Sequence, residues 1–131
     1  MESTKIEVYA SELFKVTSRK KGFLELAMEP EYENIDLYQG NFVIDPTGFY
    51  RMVAKPPKTV ELEKGQIAIV EINAVFLKMG IICNSLNGVM CGDRHINSVE
   101  FTLANFSGDP IKLPLNQYIG DIVVLGSVPL S

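Results

Sequence analysis

Val99-Glu100-Phe101-Thr102-Leu103-Ala104-Asn105 sets Val99, Phe101 and Leu103 against Glu100, Thr102 and Ala104, so one side is apolar and the other wetter. That period of two is the mark of a half-buried strand. Phe106-Ser107-Gly108-Asp109-Pro110 follows as a turn. Ile111, Leu113 and Leu115 then alternate with Lys112 and Pro114. Ile119 to Leu125 is apolar on both faces apart from Asp121, which suits a segment buried between subunits or an inner strand of one barrel.

Working outward, the same rhythm recurs. Ile6, Val8 and Ala10 alternate with Lys5, Glu7 and Tyr9, and Ser11 opens a stretch to Val16 that reads as a helical turn or a second strand. Gly22 to Met28 reads as a strand halted by Pro30. Asn41 to Ile44 is a brief strand turning at Asp45-Pro46-Thr47-Gly48, where proline presets φ and glycine accepts positive φ. Phe49 to Ala54 continues as a strand until Lys55-Pro56-Pro57, whose prolines cannot donate to a ladder. Glu61 to Gly65 leads as a turn into the β-rich run Gln66 to Ile72. No stretch shows a helical period of helix length. Many short strands, with turn signals every eight to twelve residues or so, predict an all-β barrel or jelly roll with short helical turns at most.

The length of 131 residues fits one domain, residues 1–131, and 47% hydrophobic with 21% charged residues is ordinary globular composition. A net charge of −4 argues against a duplex nucleic-acid partner, which needs a basic face. The cluster Lys15, Arg19, Lys20 and Lys21 reads as a solvated loop. Cys83 and Cys91 have neither zinc-ligand nor redox spacing, so no metal site is expected and both are read as free thiols in a reducing compartment. No apolar run approaches the roughly 20 residues that span a bilayer, and Met1-Glu2-Ser3-Thr4 is no signal peptide. The expected location is cytoplasmic, without a membrane partner.

Three pieces in fixed order carry a family resemblance. Leu62-Glu63-Lys64-Gly65-Gln66-Ile67-Ala68-Ile69-Val70 resembles a strand entry of the form L-x-P-G-E-x-x-L-V. Val99 to Gly108 resembles a strand that ends in Asn and a turn. Ile111 to Leu125 is similar to I-x-L-x-x-G-x-x-I-G-Q-x-V-x. Over residues 60–125 the chain thus resembles the dUTPase and dCTP deaminase family. The resemblance implies a dUTPase-like distorted β-barrel or jelly roll, a homotrimer with sites shared between subunits, and a nucleotide as ligand. Residues 1–59 carry no such match.

The chemistry the resemblance implies is altered in this sequence. The family's hairpin I-D-x-G-[YW]-x-G supplies a sugar-binding Asp and a stacking aromatic. Counting back from Asn105 without a gap puts Gly92 at the Asp, His95 at the aromatic and Asn97 at the second Gly. One deletion instead puts Asp93, Ile96 and Ser98 there. The first register keeps a ring without a carboxylate, and the second a carboxylate without a ring. A base must lie within hydrogen-bond reach of the proton it takes, so a one-residue displacement is a loss.

The deaminases' general acid/base position, three residues before the Asn, holds Thr102. Glu100 lies about 7 Å further along the same strand face. The phosphate-binding R-S-[SG] segment corresponds to Cys83-Asn84-Ser85-Leu86, with Asn84 where a bidentate cation is wanted. The Gln after I-G is Asp121, and Gly126 to Ser131 resembles no Gly-rich aromatic arm. Sequence motifs of other nucleotide, metal and hydrolase sites are not found.

Asn84, Ser85, Gly92, His95, Asn97 and Gln117 are therefore the candidate ligand-binding residues, with Asp93 the one candidate catalytic residue. The expected function is a catalytically degenerate, trimeric nucleotide-binding or protein-interaction module. An active deoxynucleoside triphosphate hydrolase using Asp93 is the alternative, with Mg2+ entering only alongside a bound triphosphate. A purely structural oligomer, of the kind viral genomes produce, is the third reading.

Overall fold

The computed structural model describes residues 3–17 and 32–126. The expected strand at Gly22–Met28, most of the basic cluster and the end of the chain lie outside them. Twelve strands and one short helix follow in order: β1 (Ser3–Val16), β2 (Tyr32–Ile35), β3 (Asn41–Ile44), β4 (Tyr50–Lys55), β5 (Val60–Leu62), β6 (Ile67–Ile72), α1 (Val75–Met79), β7 (Ile81–Ser85), β8 (Val89–Cys91), β9 (Arg94–Ile96), β10 (Val99–Asn105), β11 (Ile111–Pro114) and β12 (Tyr118–Leu125). The all-β expectation, with helical turns at most, holds.

One large sheet runs β7-β10-β4-β1-β12-β6-β8, with β2 added beside β1. Two small pairs, β3 with β11 and β5 with β9, flank it, and every pairing is antiparallel. The large sheet curls around one cluster that includes Val8, Leu13, Met52, Phe101, Leu103 and Ile122. Alternation decides this. In β10 the residues Val99, Phe101 and Leu103 point inward while Thr102 is exposed, as their spacing predicts.

β1 differs from its expectation. Ser11 begins neither a helical turn nor a new strand, because the strand runs unbroken to Val16. Its register against β4 shifts between Ala10 and Glu12, so the inward set moves from Val8 and Ala10 to Leu13. One inserted residue breaks the alternation without ending the strand. Glu61 and Leu62, expected at the start of a turn, belong to a short strand, Val60–Leu62, because Val60 and Leu62 are buried against β9. β12 lies between β1 and β6, and most of it is buried within this one chain. An inner strand therefore accounts for its two apolar faces.

Candidate functional site

The segment that carries the expected chemistry runs from β8, paired with β6, through Gly92 and Asp93 into β9, paired with β5. Gly92 has no room for a side chain: a Cβ there would sit 2.0 Å from the Glu63 carbonyl oxygen. The ungapped register puts the family's Asp at this position. Backbone approach excludes it, and a glycine here is what the packing requires. Asp93 follows at φ 69°, its N–H donating to the Leu62 carbonyl at 2.8 Å, so the turn is pinned to the end of β5. Its side chain is exposed.

Two open clefts meet at β9. One, of about 370 Å3, is lined by Glu61, Glu63, Lys64, Asp93, Arg94 and His95. The other, of about 440 Å3, is lined by Asn87, Arg94, His95, Asn97 and Ser98 among others. The fold thus brings Asp93, His95 and Asn97 to one rim, with Arg94 and His95 shared by both clefts. Lys64 and Arg94 stand in the first cleft beside the carboxylates of Glu61, Glu63 and Asp93. Sequence reasoning passed over both, although Arg94 directly follows Asp93. His95 Nδ1 stands 3.9 Å from a Glu61 oxygen, and both side chains are largely exposed.

The other expected residues do not join this rim. Asn84 is exposed on β7, opposite Thr102 of β10. Ser85 acts locally, its Oγ accepting the Asn87 N–H at 3.2 Å. Asn87 Oδ1 in turn accepts the Glu100 N–H at 2.7 Å, which fixes the β7–β8 turn beside the second cleft. Gln117 sits in the turn before β12, its carbonyl accepting the Ala10 N–H at 2.9 Å. It lines neither cleft.

Thr102, at the deaminase acid/base position, is exposed on the outward face of β10, opposite Arg51 of β4. Glu100 is not a free carboxylate: it is ion-paired with Arg51. Arg51 also lies over the Tyr32 ring, 5.5 Å from its centroid. The hydrogen bond that Arg51 donates to Glu100 raises the Arg51 pKa above its ordinary value, so the guanidinium stays charged. Among the described residues no group of three or more His, Cys, Asp or Glu could hold a metal ion. No helix among them is long and apolar enough to cross a membrane.

A further cleft of about 480 Å3 opens where β1 and β12 meet the loop before β5, with Ile6, Val60 and Val124 in its wall and Lys58 and Gln66 beside them. It contains none of the expected residues.

No protein-family model matches this chain, and no curated protein does. Among solved structures it is similar to 2'-deoxycytidine 5'-triphosphate deaminase from Agrobacterium tumefaciens, with a TM-score of 0.62 at 8% identity. The match covers 91% of this chain and 36% of the deaminase chain. The class defined by the fold is therefore the all-β, dUTPase-like one. That coverage carries the likeness well into residues 1–59, where the sequence showed no resemblance.

Proposed function

We propose that this chain is a non-catalytic binding protein on a dUTPase-like fold, assembling as a homotrimer and holding a phosphorylated, nucleotide-like ligand at the β9 rim. The observation that carries this reading is the pairing of Glu100 with Arg51 beside an exposed Thr102. Glu100, two residues from the deaminase acid/base position, is engaged by Arg51. The Gly92 position admits no carboxylate. Ligand binding is supported by Lys64 and Arg94, which line an open cleft together with Glu61, Glu63 and Asp93, since cations with spare donors suit phosphate oxygens. In this reading His95 offers a ring, Asn97 an amide, and Asp93 an acceptor for a hydroxyl.

Titration calorimetry against dUTP, dCTP and their monophosphates tests the proposal, alongside light scattering for the trimer. Binding heat that disappears in Lys64→Ala/Arg94→Ala, with no product formed, is the expected outcome. Turnover above about 0.1 per second, abolished by Asp93→Asn, overturns it in favour of a relocated hydrolase, since typical enzymes run at roughly 1–10³ per second. Absence of heat with every nucleotide overturns it in favour of a purely structural oligomer.

A further inference from the structure

The outward face of β6 and β8 carries an exposed aliphatic patch, bordered on β12 by Val123, which is 8% exposed. Strand register aligns it in rows. Val123, Ile69 and Val89 lie side by side across three strands, and Leu125, Ile67 and Cys91 form the next row. Val89 is 61% exposed, Ile69 38% and Ile67 37%. The inward positions of the same strands, Ile122, Val124, Ala68 and Met90, already fill the core. A contiguous patch of this kind on a sheet exterior marks an interaction surface.

The neighbouring row says what covers it. Glu7, Asp121 and Glu71 stand directly opposite one another on three adjacent strands. Like charges at cross-strand positions oppose pairing, so this row works against the sheet that displays it. Lys5 reaches Glu71 at 3.4 Å. Glu7 and Asp121 accept only phenol hydroxyls, from Tyr9 and Tyr118, and among the described residues no cation pairs with either.

We infer that this face docks a segment of another protein that is basic at one end and aliphatic at the other. Its Lys or Arg side chains lie over the carboxylate row, and its aliphatic side chains cover Ile69 and Val89. Charge complementarity selects this occupant. A phosphate-bearing partner would meet repulsion from the carboxylate row.

The probe is a fluorescein-labelled peptide, Arg-Arg-Arg-Gly-Ser-Leu-Val-Leu, followed by fluorescence anisotropy. It should bind, and more weakly as salt screens the carboxylates. Replacing its Arg run by Glu, or its aliphatic run by Ser, should each weaken binding at least about tenfold. Glu7→Gln/Asp121→Asn and Ile69→Ser/Val89→Ser should do the same while leaving the circular dichroism spectrum unchanged. Equal binding of the Ser-substituted peptide reduces the effect to unspecific charge and overturns the proposal, as does full affinity in both double variants. A self-assembly that Ile69→Ser/Val89→Ser disperses gives the face to a second copy and also overturns it.

Discussion

Asn105 illustrates how much one side chain settles. It is 4% exposed, and its amide donates to the Ile44 carbonyl at 2.8 Å and the Asp109 carbonyl at 2.7 Å. Its Oδ1 accepts the Ser107 N–H at 2.9 Å and the Ser107 hydroxyl at 2.8 Å. All four hydrogen-bonding positions are filled, so the end of β10, the following turn and β3 are tied to a single group. Asn105→Ala removes the Asn105 donor to the Ile44 carbonyl and the acceptor of the Ser107 N–H, and should cost about 2–3 kcal/mol, read as a lower urea midpoint. Asn105→Asp should cost at least as much, because a buried carboxylate replaces the two donors. The sequence marked Asn105 as a strand end. It could not show the partners, since Ile44 lies 61 positions away.

At the level of elements, the strands were legible wherever alternation was clean, as in β10, and misread where it slipped. β1 was cut at Ser11 because its inward positions change parity there, and only the pairing with β4 and β12 shows one continuous strand. Gly120, marked in the sequence only as part of a motif, is a tight fit. A Cβ there would lie 2.1 Å from the Glu71 carbonyl oxygen, so β12 approaches β6 more closely than any side chain permits. Gly120→Ala should therefore destabilise by about 1–3 kcal/mol or more through forced separation of the two strands. Differential scanning calorimetry would show the lower Tm, and an unchanged Tm would refute the close approach.

For the whole molecule, burial separates the two cysteines. Cys91 is exposed on β8, whereas burial pushes the Cys83 thiol up from 9.0 to about 12. At pH 8 an aromatic disulfide reagent should modify Cys91 promptly and Cys83 on the order of 10³-fold more slowly, because thiolate is the reacting form. Equal rates would contradict the packing of β7. The linkage follows in sign: unfolded Cys83 releases its proton near 9.0 and folded Cys83 near 12, so the unfolded state binds fewer protons in between. Stability contributed by this group is intact below pH 9 and falls as pH rises toward 12. The sequence by itself determined the β class, through a period of two that has a single geometric meaning, and it located the altered motif positions by spacing from Asn105. Tertiary structure alone decided that Gly92 cannot carry a side chain, that Glu100 belongs to Arg51, and that Lys64 and Arg94 meet at β9. Each of these depends on how closely strands distant in sequence approach, and the order of residues along one strand does not encode that distance.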